Sequence, residues 1–171
     1  MTSDPKINLV CIEGIIGAGK TTACSELEKI IEKSPELKNK KIVILKEPVE
    51  QWRQLGLLDQ FYTDTKRWAL TFQLTALVTK CIELLKLQND TIYVIERSPY
   101  VDMLCFAKLC QNLGYINDME MAIYKLYYDY FINELESKCN IRFIYIRTSV
   151  DTCINRINQR NRMEEKNIQR E

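Results

Sequence analysis

The sequence contains no histidine among its 171 residues, and this absence removes several classes of chemistry. Ser-His-Asp triads, histidine general bases and histidine metal ligands are all excluded. Acid–base chemistry must therefore come from Asp, Glu, Lys, Tyr or Cys side chains. The seven cysteines are odd in number and form no Cys-x-x-Cys pair, so neither a disulfide framework nor a zinc site is expected. We expect small buried thiols in a reducing compartment.

Long apolar runs and an excess of one charge are also missing. No stretch approaches the roughly 20 apolar residues that a membrane-spanning helix needs. The 24 basic and 23 acidic residues give a net charge of +1, so a polybasic surface for nucleic acid or membranes is not predicted. Residues 1–6 do not resemble a signal or transit peptide, and we therefore expect a cytoplasmic protein with no nucleic-acid or membrane partner.

Two kinds of apolar pattern alternate along the chain. Helical patterns occupy residues 20–33, 64–87, 100–112, 118–137 and 150–160. Short β-rich runs lie between them, at 7–13, 42–45, 91–95 and 141–146. Because strands separated by helices need crossover connections, the sequence predicts a single α/β domain over residues 1–171 with a parallel sheet flanked by helices.

A phosphate-binding motif follows the first predicted strand. Residues 14–21, Gly-Ile-Ile-Gly-Ala-Gly-Lys-Thr, match G-x-x-x-x-G-K-[ST] in the required strand–loop–helix context, which disfavours a plain glycine turn. Glycines let backbone N–H groups surround phosphate oxygens, and the helix N-terminus adds partial positive charge. Lys20 is expected to reach the β- and γ-phosphates, and the Thr21 hydroxyl to ligate Mg²⁺. The predicted phosphate-binding residues are Gly14, Ile15, Ile16, Gly17, Ala18, Gly19, Lys20, Thr21 and Thr22.

Charged side chains follow the second and third predicted strands. Glu47 comes directly after one strand, and Glu96 and Arg97 end the next. Ligands of a parallel sheet bind at the carboxyl ends of its strands, so these residues are expected near the phosphate loop. Glu47 is then the candidate general base for an acceptor hydroxyl, and Glu96 a candidate Mg²⁺ ligand. Arg97 is placed to neutralise charge at the reacting centre. The alternatives are that Glu47 is simply a solvated side chain at a strand end and that Glu96 and Arg97 form a surface ion pair.

These segments together resemble the deoxynucleoside kinases of the deoxycytidine, deoxyguanosine and mitochondrial thymidine kinase type. The matching pieces cover nearly the whole chain and lie at 13–22, 47–52, 61–73, 96–98, 145–148 and 156–165. The resemblance implies a three-layer P-loop kinase fold. It also implies transfer of the γ-phosphoryl group of ATP to the 5′-hydroxyl of a deoxyribonucleoside, a salvage reaction that supplies DNA precursors.

The resemblance assigns a role to several side chains. It implies that Glu47 takes the proton of the 5′-hydroxyl and that Arg97 holds the same end of the sugar. The other implied nucleoside contacts are Tyr62 and Glu165 with the 3′-hydroxyl, Gln73 with the base edge, and Trp52, Phe72 and Phe106 around the base. For the aromatic side chains, ordinary core packing is the alternative.

A basic segment at about residues 156–167 resembles the lid that closes over ATP in this family. It carries Arg156, Arg160 and Arg162, the first two of which share one helix face. Guanidinium groups stabilise the charge of a transferring phosphoryl group. The alternative is that these arginines do not contact ATP and form only a solvated, basic helix end, which the helix dipole favours.

Two further residues bear on the choice of nucleoside. Lys80 lies two helical turns after Gln73, and Asp102 lies five residues after Arg97, in the first turn of the next predicted helix. In the family a basic residue and an aspartate at these places mark kinases of deoxycytidine and deoxypurines. The basic residue is usually arginine there, and a lysine replaces its planar fork by a point charge. We expect deoxyadenosine, deoxyguanosine or deoxycytidine to be preferred over thymidine. The alternative is that neither residue contacts the nucleoside. Lys80 would then face solvent, and Asp102 would only stabilise the N-terminus of its helix.

The resemblance also implies a homodimer and a shortened chain. The aromatic stripe of residues 124–131 is expected to supply core residues and part of the interface. Relatives continue after the lid with more helix, a fifth strand and a loop that contacts the adenine of ATP. Residue 171 follows the lid directly here, so we expect a fragment or a shortened product, with an exposed sheet edge and weaker ATP binding.

Two other functions fit parts of the sequence. A nucleoside monophosphate kinase of the thymidylate kinase type shares the phosphate loop and an acidic-arginine strand end. Its acceptor carries a phosphate, which Glu47 would repel. A non-catalytic nucleotide-binding subunit is the other alternative.

Overall fold

The computed structural model describes residues 6–160 and 162 of the chain. In this part of the chain, β1 (Ile7–Glu13), β2 (Ile42–Leu45), β3 (Ile92–Glu96) and β4 (Cys139–Tyr145) form one sheet. All their pairings are parallel, in the order β2-β3-β1-β4. The phosphate loop therefore leaves a central strand, and the strand that ends before Glu47 lies two positions away.

Helices occupy most of the remaining described chain. Their bounds are α1 (Lys20–Lys33), α2 (Pro35–Lys38), α3 (Val49–Gln54), α4 (Leu57–Thr63), α5 (Thr65–Leu84), α6 (Pro99–Val101), α7 (Lys108–Asn112), α8 (Asp118–Lys138) and α9 (Val150–Arg160). A π-helical segment, Asp102–Ala107, joins α6 to α7. No described helix has the length and apolar character of a membrane span.

Side-chain alternation along β1 places helices on both faces of the sheet. Leu9 and Cys11 pack with Leu84 of α5 and Leu135 of α8 on one face. Ile12 packs on the other face with residues of α1. Neighbouring residues of a strand point to opposite faces, and burial of both faces is typical of parallel sheets. The three-layer P-loop kinase fold expected from the sequence is confirmed.

The predicted elements are recovered with a few differences. The bounds of β1, α1, β2 and α9 agree with the sequence-based prediction, whereas α5 ends at Leu84, three residues early. Helices α3 and α4 were not predicted, because six- and seven-residue helices are too short to show a clear apolar period. The prediction that the thiols are buried is wrong for Cys105, which is exposed, and right for the other six.

Candidate active site

The phosphate loop is a tight turn that its glycines make possible. Gly17 and Gly19 have φ angles of 79° and 100°, in the left-handed region that other residues rarely adopt. Gly19 is the N-cap of α1, so the loop presents the positive end of that helix. The Lys20 ammonium donates hydrogen bonds to the carbonyls of Gly14 (2.9 Å) and Ile15 (3.0 Å). The predicted loop is thus in the conformation that an anion site needs.

Lys20 lies buried beneath the loop. Burial and the neighbouring Arg97 lower its pKa to about 8, against the opposing charges of Glu47 and Glu96. The ammonium form therefore predominates at pH 7, where it provides positive charge next to the loop.

Two oxygen ligands face each other beside the loop. The Thr21 hydroxyl donates a 2.5 Å hydrogen bond to Glu96 Oε1. A hydroxyl and a carboxylate are ligands that Mg²⁺ accepts, and this ion usually completes its shell with water and phosphate oxygens. No cluster of three or more acidic or thiol side chains suited to a metal occurs in the described ranges. The pair fits an Mg²⁺ ion that shares ligands with a nucleotide.

Helix α9 packs directly against the loop. The Arg156 guanidinium donates to the carbonyls of Ala18 (3.0 Å) and Gly17 (3.4 Å), and the Thr148 hydroxyl also donates to Ala18 (3.1 Å). Arg160 and Arg162 line the same cleft. The three arginines predicted to contact ATP phosphates therefore line one cleft, and Arg156 contacts the loop itself.

Glu47 lies between two cations at the end of β2. Its Oε1 atom is 3.1 Å from Lys80 Nζ and 3.4 Å from Arg97 Nε. Lys80 also donates to both oxygens of Asp102, at 2.7 and 2.9 Å. The alternative of a solvent-facing Lys80 is wrong, because Lys80 is only 7% exposed.

The charges around Glu47 keep it ionised. Burial alone would raise its pKa, but Lys80 and Arg97 outweigh this effect and hold the pKa below its usual value. Burial would likewise lower the pKa of Lys80, and the carboxylates of Asp102 and Glu47 raise it instead. The carboxylate at the end of β2 is thus available to accept a proton at neutral pH.

Arg97 turns into the cleft from the end of β3. Its φ angle is +62°, which is uncommon for a residue with a Cβ. Its guanidinium carbon lies 4.6 Å from the centroid of the Phe106 ring, an arrangement that favours the cation. Arg97 therefore contacts both the candidate base and a predicted wall residue.

Aromatic rings form one wall of the cleft. Trp52 packs edge-to-face on Phe72 with centroids 5.5 Å apart, and Phe61 stacks on Phe72 at 4.5 Å. The indole N–H of Trp52 donates to the Thr79 hydroxyl at 3.0 Å, which fixes the ring. Flat rings held in place suit the face of a nucleobase.

The cleft has a volume of about 650 Å³ and joins the loop to this wall. Tyr62, Gln73, Asp102 and Phe106 line it. The Gln73 amide nitrogen is 3.9 Å from the sulfur of Cys110, a weak acceptor. Glu165, the predicted partner of Tyr62, lies outside the described residues.

Sequence reasoning missed several residues of the site. Phe61 was part of a matching motif but received no role, and Arg53 and Glu50, which form a 2.6 Å ion pair, also line the cleft. The signal for the last two was their position on α3, the short helix that begins two residues after Glu47. Glu13 was missed as well, because it belonged to a matching motif and ended a predicted strand but received no role.

The parallel sheet, the phosphate loop and the charged strand ends define a P-loop α/β protein in which the loop opens into a cleft with an aromatic wall. A family model described as deoxynucleoside kinase matches residues 10–171. The chain belongs to the deoxynucleoside kinase family.

Individual relatives agree with this assignment. A fowlpox virus protein named "Probable deoxycytidine kinase" is 35% identical, and the match covers 93% of this chain and 64% of the relative. Chicken deoxycytidine kinase 2 is 29% identical, with 95% and 68% covered. Human mitochondrial thymidine kinase 2 is 27% identical, with 95% and 59% covered. The chain thus spans about two thirds or less of the length of these three proteins.

Proposed function

We propose that this chain transfers the γ-phosphoryl group of ATP to the 5′-hydroxyl of a deoxyribonucleoside. The observation that carries the proposal is the position of Glu47, an ionised carboxylate in the same cleft as the phosphate loop. Membership of the deoxynucleoside kinase family supports it. The cytoplasmic location and the place in nucleotide salvage stay predictions.

On the acceptor side, Glu47 accepts the proton of the attacking hydroxyl. Arg97, 3.4 Å from the carboxylate, holds the same hydroxyl and keeps Glu47 ionised until the substrate arrives. Trp52 and Phe72 enclose the base and exclude water from the cleft. Positioning and general-base assistance are the main contributions that phosphoryl transfer requires from the acceptor side.

On the donor side, backbone N–H groups of the loop and the Lys20 ammonium bind phosphate oxygens. Arg156 is already anchored on the loop through Gly17 and Ala18, so its guanidinium needs little rearrangement to contact the transferring group. Thr21 and Glu96 would hold Mg²⁺. When bound, that ion neutralises developing charge on the phosphates.

For specificity, we propose that the buried pair of Lys80 and Asp102 selects deoxycytidine and deoxypurines over thymidine. Asp102 lines the cleft and Lys80 fixes it through two hydrogen bonds. A carboxylate fixed in this way accepts hydrogen bonds from exocyclic amino groups, which cytosine, adenine and guanine carry and thymine lacks. Gln73, 2% exposed, lies on the same helix as Lys80 and reads the remaining base edge.

The experiment is a phosphoryl-transfer assay with ATP, the four deoxynucleosides and their 5′-monophosphates. We expect ADP and a 5′-monophosphate from deoxynucleosides, with kcat/KM lowest for thymidine. Thymidine as the best substrate would overturn the specificity assignment alone. Turnover of monophosphates without turnover of nucleosides would instead favour a thymidylate-kinase-type reaction. ATP binding in calorimetry without ADP production on any acceptor would favour a non-catalytic subunit.

We also propose a homodimer that pairs through one face of α8. Five apolar side chains recur on this face at helical spacing and are 39–73% exposed: Met119, Ile123, Leu126, Tyr127 and Tyr130. The opposite face of α8 is buried in the core through Tyr124 and Ile132. A contiguous apolar stripe of this kind is typical of an interface, and a second copy of the chain offers the same stripe.

Leu126→Glu is expected to convert the dimer to monomers in sedimentation velocity, because it buries a charge at the centre of the stripe. Lys125→Glu changes the neighbouring residue, which lies off the stripe and pairs with Asp129. This control should remain dimeric. A monomeric wild-type chain, or equal effects of the two variants, would contradict the assignment.

A further inference from the structure

The left-handed turn at Arg97 is the strained point of the acceptor side. A φ angle of +62° is unfavourable for arginine and persists only where surrounding contacts enforce it. The turn nevertheless directs the guanidinium toward Glu47 and over Phe106. The contacts that hold this turn therefore decide where the guanidinium lies.

Two of those contacts come from the end of β1. The Arg97 N–H donates to the carbonyl of Ile12 at 3.0 Å, which continues the ladder between β1 and β3. The next N–H, that of Ser98, donates to Glu13 Oε1 at 2.9 Å. A side-chain oxygen thus takes the place of a ladder partner at the point where the chain leaves the strand.

Glu13 is unusually placed for a carboxylate. It is 5% exposed, and its second oxygen, Oε2, has no hydrogen-bond partner among the described residues. Burial raises its pKa, against the opposing effects of the Ser98 backbone N–H and the charge of Arg97. Burying a carboxyl group costs free energy, so a role that needs its oxygen explains its presence better than packing does.

Glu13 is also held from the other side. Its backbone carbonyl accepts a hydrogen bond from Ile146 at the end of β4, at 2.8 Å. Gly14, the first residue of the phosphate loop, follows it directly and accepts from Lys20. The carboxyl group is therefore carried on a rigid backbone that joins three strand ends.

We propose that Glu13 is a positioning residue that holds Arg97 in its left-handed turn by accepting the Ser98 N–H. The role requires an acceptor oxygen at this place and does not require a negative charge. It acts on the acceptor side of the reaction through Arg97 and therefore rests on the proposed kinase function for its effect on rate.

Two matched substitutions separate these requirements. Glu13→Gln keeps an acceptor oxygen, so we expect kcat/KM for the best deoxynucleoside to stay within about threefold of wild type. Glu13→Met keeps the length and removes the acceptor, and we expect a loss on the order of 10–100-fold, as misplaced groups cause. Leu135→Ala, a core change on α8 away from the cleft, controls for a general loss of stability.

Two further readouts do not depend on activity. In crystal structures, Arg97 should keep its positive φ angle in Glu13→Gln and lose it, or leave the cleft, in Glu13→Met. The urea midpoint should fall less on Glu13→Met in an Arg97→Gly background than in wild type, because glycine adopts positive φ unaided.

The outcomes are distinct from failure of the proposed function. An inactive wild-type chain would overturn the kinase proposal and leave the crystal and urea tests intact. An unchanged Arg97 in Glu13→Met, or equal losses of stability in the two backgrounds, would overturn the positioning role. Should Glu13→Met fail to fold alone, folding of Glu13→Met with Arg97→Gly would support the role, and failure of both would contradict it.

Discussion

Glu47→Gln is expected to lower kcat by on the order of 10²–10⁴-fold, the usual contribution of a positioned general base. Glutamine keeps the size and one acceptor oxygen of the side chain but does not take up a proton. Lys80 and Arg97 still contact the amide oxygen, so the cleft keeps its shape. ATP binding, measured by calorimetry, should stay near the wild-type value because the loop is untouched.

Glu26→Gln is the matched control for this substitution. Glu26 is 59% exposed on α1 and pairs with Lys29, so its loss should leave kcat unchanged. Because the pKa of Glu47 is held below its usual value, wild-type activity should show no loss from this group between pH 7 and about 5. An unchanged kcat in Glu47→Gln would refute the assignment of the base.

Gly17→Ala is expected to disable the donor side. A Cβ at Gly17 would lie 2.6 Å from the carbonyl oxygen of Cys153 in α9, and the φ angle of +79° is itself unfavourable for alanine. The backbone cannot give way locally, so α9 must shift and carry Arg156 away from the loop. We expect a rate loss on the order of 10²-fold, as for other catalytic groups displaced by about 1 Å, together with weaker ATP binding.

Gly114→Ala separates the two causes of this effect. Gly114 has a similar φ angle, +72°, but its Cβ would meet nothing within 4 Å. In Gly114→Ala, the free energy of unfolding should fall by about 1–2 kcal/mol, the cost of placing alanine in the left-handed region. The activity should stay at the wild-type level. Equal losses of stability and activity in the two variants would show that the contact with α9 is unimportant.

The sequence predicted where the phosphate loop and the charged strand ends lie in the fold. Residues 14–21 are contiguous, and their spacing alone specifies a loop between a strand and a helix. Glu47 and Arg97 were predicted near the loop because strand ends of a parallel sheet meet at one edge. Local pattern and the rules of sheet topology were sufficient for both.

Contacts between distant side chains were beyond reach of the sequence. Lys80 and Glu47 are 33 positions apart, and their 3.1 Å contact depends on how α5 packs over β2. The left-handed turn at Arg97 likewise depends on the carboxyl group of Glu13, which lies on β1, 84 positions earlier in the chain. No periodicity links such pairs, and each becomes visible only when three layers are packed together.

The most direct test of phosphoryl transfer to the 5′-hydroxyl uses ATP labelled in its γ-phosphate. With the best deoxynucleoside, label should appear in a 5′-monophosphate and ADP should form in equal amount. The matching 2′,5′-dideoxynucleoside, which lacks the acceptor hydroxyl, should receive no label. Label that remains in ATP, appears only as inorganic phosphate, or is found on another hydroxyl would contradict the proposed reaction.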